Sequence, residues 1–338
     1  MRIVFMGSSA ASATCLRAIL REKELDVVGV VTQPDRPAGR GKTLTPCPCK
    51  AFALANGLGE SVISPESVNS DEALAKLREW KPDVAVVVAY GQILKKPVLE
   101  LPLFGCINCH FSLLPKYRGA APVAAAIAAG DRVTGVTIMR MGPGLDDGPI
   151  MYQRYEPIYM DATGGELMEG LAITGGVALA KTLKLMGCNA LPPSVPQDNA
   201  EATYVRKLKK SDGLIDWAAP VLEIERKIRA YTPWPACYTF LPERFRRKGN
   251  TGRLVILRAR IVNKMEDAWK NAAPGTILKA SAVREKGESA LPPGPLVKCG
   301  DTALLLTELK PEGGGPMDGG AFLRGRPLQP GVDVLGNV

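Results

Sequence analysis

The chain has 338 residues, 46% hydrophobic and 23% charged, with a net charge of +9 and a single histidine. That length suits two domains at roughly 100–200 residues each, and the composition excludes a disordered chain. No run approaches the ~20 consecutive apolar residues of a membrane span. The opening MRIVFMG reads as a strand rather than a cleavable leader, so a cytoplasmic, membrane-free protein is expected.

Residues 2–6 form an apolar run ending at Gly7, a strand followed by a turn. Residues 14–24 then carry Leu16, Ile19 and Leu20 at helical spacing. Strands are expected at 27–31 and at 83–89, where DVAVVVA is continuous and β-branched, as in a strand covered on both faces. A helix is expected at 72–80, strands at 106–109 and 135–139, and helices at 122–129 and 166–186. This alternation implies an α/β, Rossmann-like, mostly parallel sheet with helices on both faces. The first turn, GSSA at 7–10, is not G-x-G-x-x-G, which disfavours a dinucleotide enzyme. Loops at the carboxyl ends of the strands are where chemistry belongs in such sheets.

The proline-bearing stretch 187–196 breaks this pattern. A catalytic domain is therefore expected over 1–188, a linker over 189–206 and a smaller C-terminal β-barrel domain over 207–338. The last contains a helix at 221–230 and β-rich runs at 254–262, 275–278, 295–299 and 303–309. Residues 201–338 hold 23 Lys and Arg against 15 Asp and Glu, so the basic excess lies almost wholly there. That asymmetry suits a polyanion partner, although a solvated basic face would give the same count.

Eight cysteines include a C-x-C at 47–49 and a C-x-x-C at 106–109, next to His110. Side chains alternate between faces along a strand, and no second pair follows at zinc-finger spacing. Buried thiols are expected rather than a metal site.

Asn108, His110 and Asp146 form the candidate constellation. Asn108 and His110 are two residues apart at the end of a strand and share a face. Asp146 lies in GLDDG at 144–148, in a loop after the next strand. A carboxylate beside an imidazole favours its protonated form, and a carboxamide can donate to a developing oxyanion. The set suits acyl or formyl transfer to an amine. It holds no obvious nucleophile, so direct attack by the amine is the economical route. A structural Asn–His pair and a surface turn would produce the same residues.

At these positions the sequence resembles the methionyl-tRNA formyltransferase family. NCHFSLLPKYRGAAP at 108–122 is similar to the family's N-x-H-x-S-L-L-P-x-x-R-G-A-A-P, with VTGVTIM at 133–139 and GLDDG at matching distances. TQPDRPAGRGK at 32–42 resembles the family's inserted basic loop. IDW at 215–217, RAYTPWP at 229–235, PGTI at 274–277 and FLRGR at 322–326 match its second domain. The resemblance implies a formyltransferase-type fold, an OB-like second domain and 10-formyltetrahydrofolate as co-substrate, without a metal. It also implies initiator methionyl-tRNA as acceptor. Nothing in the sequence demands more than a monomer, so a monomer with no obligate protein partner is expected. Asn108 and His110 would polarise the formyl carbonyl, while Asp146 would support His110 and help deprotonate the amine. Ser112, Leu113, Leu114 and Pro115 would shape the folate pocket. Arg36, Arg40 and Lys42 would meet the acceptor stem from a loop ordered on binding.

Gly7-Ser8-Ser9 stands where the family has G-T-P. Phe111 replaces a small residue and either crowds the folate side or faces the core, and Gly142 replaces a common Asp. The N-x-H…S-L-L-P run fixes the donor type rather than the acceptor. Glycinamide ribonucleotide or a nucleotide-linked amino sugar is the competing acceptor. A folate-dependent hydrolase or dehydrogenase fragment, and an RNA-binding protein without catalysis, are the other readings.

Overall fold

A computed structural model describes residues 1–38, 43–246, 249–262, 266–279 and 292–336. Its chain packs as two units, one of residues 1–123, 132–158 and 166–206, the other of 124–131, 159–165 and 207–338. In chain order the strands of the first unit are β1 (Arg2–Gly7), β2 (Asp26–Val31), β3 (Arg36–Ala38), β4 (Thr43–Thr45), β5 (Val62–Ile63), β6 (Val84–Val88), β7 (Cys106–His110), β8 (Arg118–Gly119), β9 (Val133–Arg140), β10 (Ile150–Pro157) and β11 (Tyr204–Val205). The helices up to residue 187 are α1 (Ala10–Leu20), α2 (Pro48–Ala55), α3 (Asp71–Trp80), α4 (Lys96–Leu99), α5 (Pro122–Ala129) and α6 (Gly164–Gly187).

Seven strands make the central sheet in the order β10-β9-β7-β6-β1-β2-β5. The pairings from β5 to β7 are parallel, whereas β9 and β10 run antiparallel. β6 is buried at every position, as its unbroken VAVVV run requires. β10 escaped the sequence reading because it is a half-exposed edge strand, MYQRYEP in its last seven residues, with little apolar alternation. α1 starts four residues earlier than its apolar spacing implies. Ser9 caps it, and the Ser9 and Ser12 side chains bond reciprocally to each other's backbone N–H.

One face of the sheet packs Val4, Met6, Val31, Ala85 and Val87 against Leu74, Leu77 and Trp80 of α3. The indole lies directly on β2, where a Cβ at Gly29 would sit 2.3 Å from it. On the other face Cys109 and Phe111 approach Gly175 of α6. Phe111 is thus buried in the core. No helix among the described residues is long and apolar enough to cross a membrane.

The second unit holds α7 (Val221–Tyr231), β12 (Cys237–Phe240), β13 (Arg253–Val262), β14 (Leu296–Lys298), β15 (Ala303–Pro311), β16 (Met317–Asp318) and α8 (Gly319–Gly325). Its antiparallel sheet runs β12-β13-β15-β14, with β16 on β15. Irregular register at 256–259 of β13 curls it. Single bridges Ile277–Val297, Thr276–Val334 and Phe240–Gly336 link the two edge strands through short segments, giving a barrel-like sheet closed by bridges alone. Residues 275–278, expected as a strand, contribute two of those bridges. The core holds Ile224 and Ile228 of α7 with Leu254, Ile256, Leu304, Leu306 and Phe322.

The Trp80 contact sets a test of the sheet-to-helix packing. Gly29→Ala should displace the indole and lower stability by about 1–3 kcal/mol, the usual cost of overpacking. Urea unfolding measures it, and an unchanged midpoint would contradict the contact.

Candidate active site

β7 sits between parallel β6 and antiparallel β9, with Asn108 opposite Met139 and His110 opposite Thr137. The chain leaves β9 at Arg140 and returns as β10 from Ile150. β9 ends opposite Ile107, near the start of β7, and the loop that follows reaches back to place Asp146 beside His110. The His110 Nδ1 and Asp146 Oδ2 atoms are 3.5 Å apart, with side chains 6% and 16% exposed. That separation is long for a well-formed hydrogen bond, and the contact becomes an ion pair only when the ring is protonated. Nε2 lies 2.8 Å from the Tyr117 carbonyl. A carbonyl only accepts, so Nε2 carries the hydrogen and the neutral ring offers Nδ1 as its acceptor.

Burial pushes the His110 pKa below its ordinary value, against the raising influence of the Asp146 carboxylate and the Tyr117 carbonyl. The sequence reading took Asp146 to hold the ring protonated; desolvation outweighs it. The Asp146 carboxylate also accepts from the Gly119 N–H at 2.8 Å. Gly119 has φ +111°, and a Cβ there would lie 2.3 Å from the Val205 carbonyl oxygen, so this donor position excludes larger residues. Asn108 is half-buried, and its carboxamide makes no protein hydrogen bond among the described residues. It remains available to a ligand.

The turn after β7 is tied to β9 by Thr137. Its hydroxyl donates to the Ser112 carbonyl at 2.7 Å and accepts from the Leu114 N–H and from the Gln153 amide. The Gln153 amide also donates to the Leu114 carbonyl. The Ser112 hydroxyl is turned inward onto the Lys116 carbonyl at 2.6 Å. Ser112 and Leu114 are buried, while Leu113 and Pro115 are partly exposed. Neither Thr137 nor Gln153 is among the residues singled out from the sequence; a polar side chain inside the apolar run 135–139 is the one signal for Thr137, and Gln153 carries none.

The thiols beside the site are not thiolates. Burial pushes Cys106 up to about 12, and Cys109, buried against the Cys15 thiol, is also raised. Among the described residues no group of three or more His, Cys, Asp or Glu is arranged to hold a metal ion.

Residues 1–183 match the formyl transferase family, and residues 207–327 match the formyl transferase C-terminal domain. A methionyl-tRNA formyltransferase of Acidithiobacillus ferrooxidans is 45% identical over 99% of this chain and 98% of its own length. One from Chloroflexus aggregans is 43% identical over 96% of this chain and 97% of its own. The chain belongs to the methionyl-tRNA formyltransferase family. It is a transferase with the formyltransferase fold, and the family uses formyl-tetrahydrofolate. Among solved structures, HypX from Aquifex aeolicus superposes at TM-score 0.60 with 16% identity, over 96% of this chain and 48% of that one. WlaRD, a sugar 3N-formyl transferase, superposes at 0.58 with 18% identity, over 90% and 96%. These two share the fold.

The inserted loop characteristic of the family begins as a hairpin. β3 and β4 pair antiparallel, with Arg36 opposite Thr45. Its arms are thus paired strands in the free chain, where the sequence reading expected order only on binding. Arg36 is exposed, 3.5 Å from an equally exposed Glu66, a pair of little energetic weight. Arg40 and Lys42 lie outside the described residues.

The segment 189–206, read as a linker, belongs to the first unit. β11 pairs parallel with β8, and the Thr203 hydroxyl accepts from the Tyr117 N–H. Gln197 donates to loop carbonyls at Asp146 and Gly148. No local pattern marks these residues, whose partners lie about fifty or more positions away.

Because His110 is the sole histidine, its imidazole signals in NMR are assigned by inspection. They should titrate below pH 6.5, and Asp146→Asn, which removes a raising influence, should move the midpoint lower still. A midpoint at or above 6.5 in the folded protein would contradict the burial argument. The linked stability has a definite sign. Above about pH 6.5 the residue is neutral in both states. Below it the unfolded chain takes the proton first, and stability falls until the folded midpoint is passed.

Proposed function

We infer that this enzyme transfers the formyl group of 10-formyltetrahydrofolate to the α-amine of initiator methionyl-tRNA by direct amine attack. The observation that carries the catalytic part is the buried His110–Asp146 pair beside the uncommitted carboxamide of Asn108. The amine lone pair attacks the formyl carbon, and the carbonyl electrons move to oxygen, where Asn108 donates to the oxyanion. Collapse re-forms the carbonyl and breaks the carbon–nitrogen bond to the folate. The attacking nitrogen loses one proton and the departing folate nitrogen gains one. A neutral His110 accepts at Nδ1, and Asp146 stabilises the imidazolium while it lasts.

Ser112, Leu113, Leu114 and Pro115 shape the folate pocket in this reading. Ser112 and Leu114 act from inside the turn, and Leu113 and Pro115 from its surface. Arg36, Arg40 and Lys42 meet the acceptor stem, and the basic excess of residues 201–338 supports a nucleic-acid acceptor. The enzyme acts as a cytoplasmic monomer, with catalysis in the unit that runs through residue 206 and tRNA binding at 207–338.

The test is a formyl-transfer assay with 10-formyltetrahydrofolate, offering charged initiator tRNA and glycinamide ribonucleotide in parallel. Transfer to the tRNA alone supports the reading, and transfer to the small acceptor alone discards the tRNA part of it. Asn108→Ala should lower kcat by roughly 10²–10³, the scale of losing one oxyanion donor, and His110→Ala by roughly 10²–10⁴, the scale of losing a general base. Full activity in either removes that residue from the mechanism. Affinity for tRNA should fall steeply with added salt, and Arg40→Ala should weaken tRNA binding more than folate binding. A flat salt response would sink the polyanion argument.

A further inference from the structure

We propose that Gln197 is a positioning residue that fixes the backbone of Asp146, with the buried Arg118 guanidinium as its anchor. The proposal rests on the reading of Asp146 as a catalytic group given above. Arg118 is 1% exposed. Its Nε and one terminal nitrogen both donate to Gln197 Oε1, at 3.1 and 2.8 Å. Two of the three remaining donors reach Asn199 Oδ1 at 2.9 Å and the Tyr204 hydroxyl at 3.1 Å. A guanidinium has only donors, so it must face the amide oxygen of Gln197. The amide nitrogen is thereby turned to the opposite side, where it donates to the carbonyls of Asp146 at 2.9 Å and Gly148 at 2.7 Å. Carbonyls only accept, so both ends of the amide have one consistent orientation.

What this amide holds is a strained turn. Asp146 has φ +50°, the left-handed region that costs a non-glycine residue stability. Gln197 grips the carbonyl of that residue, while the Gly119 N–H grips its carboxylate. Gly119 is itself set by β8 pairing with β11, only a few residues beyond Gln197. One stretch of chain thus fixes both the backbone and the side chain that face His110 Nδ1. Misplacing a reacting group by about 1 Å costs on the order of 10²-fold in rate, so the clamp has kinetic weight without touching substrate.

Gln197→Glu separates the two roles of this side chain. It keeps acceptors for Arg118 and replaces both donated bonds with a carboxylate facing two carbonyls. Gln197→Met, of similar length and uncharged, is the second variant should the first fail to fold. Both are read in the full chain, after thermal unfolding has confirmed the folded state. The expected result is a kcat lowered about 10–100-fold, with KM for 10-formyltetrahydrofolate and for methionyl-tRNA little changed. The His110 NMR midpoint should fall in the direction of Asp146→Asn, because the carboxylate has moved from Nδ1. In the double variant Asp146→Asn, Gln197→Glu, kcat should match Asp146→Asn alone within about twofold, since Gln197 acts only through Asp146.

A folded Gln197 variant with wild-type kcat and wild-type His110 midpoint overturns the proposal, as does a double variant about tenfold or more below Asp146→Asn. Full activity in Asp146→Asn is a different failure. It removes the catalytic role of Asp146, and with it the reading on which the proposal rests.

Discussion

An imidazole taken out of water faces a carboxylate across 3.5 Å, and the architecture around β7 serves to keep it there. Two influences oppose each other at His110. Asp146 and the Tyr117 carbonyl favour the charged ring; burial favours the neutral one and wins. The outcome is a base that is unprotonated near neutrality yet already has its counter-charge in position. Were Asp146 to move away, the ring would stay neutral but lose the group that stabilises the proton it accepts. Under the proposed reading, the chemistry therefore depends on the placement of Asp146 as well as on the burial of the ring.

The sheet supplies that geometry by changing direction. Parallel pairing from β5 to β7 puts the carboxyl ends of the strands on one side. A further parallel strand beside β7 would require a crossover and would deliver its following loop from the same side. The antiparallel β9 instead enters opposite His110 and ends opposite Ile107, at the far end of the short β7. The 141–149 loop must then double back along the sheet edge to reach the imidazole. A loop on that path needs outside support, given by the Gly119 N–H and by Gln197. Thr137, on the strand itself, holds the other wall by bonding the Ser112–Leu114 turn.

Much of this was legible in the sequence because it is periodic or locally punctuated. The β-branched runs at β2 and β6, the helices α3 and α6, and the turn residues around Gly7 and Gly148 declare themselves within a short window. Asn108 and His110 followed from a two-residue spacing at a strand end. Other features were hidden for identifiable reasons. α1 begins at a serine box, so its apolar spacing alone misplaces the start. β10 is an edge strand in which Arg154 and Tyr155, neighbours on opposite faces, are both exposed, which blurs the alternation. Asp146 appeared as a turn between glycines, and only its contacts reveal the left-handed backbone held by distant groups. Gln197 sits in a proline-bearing stretch that reads as a spacer, and its partners Arg118 and Gly148 lie 79 and 49 positions away. A contact at that separation leaves no trace in local pattern.

Under the proposed reading, the site has a base and needs no nucleophile of its own. Covalent catalysis would need an activated thiol or hydroxyl aimed at the donor carbonyl. The thiols of Cys106 and Cys109 are buried and held protonated, and the Ser112 hydroxyl is spent on the Lys116 carbonyl. Under the proposed reading the acceptor amine is the nucleophile, and it becomes reactive once it has lost its extra proton. Its attack then creates two needs at once, a donor for the oxyanion and an acceptor for a proton. Asn108, with an uncommitted carboxamide, meets the first, and the neutral Nδ1 of His110 meets the second. A ring held protonated by Asp146 could not have met the second need, since an imidazolium has no lone pair to accept the proton. The depressed histidine is thus the feature that makes direct transfer between two nitrogens workable with so few groups.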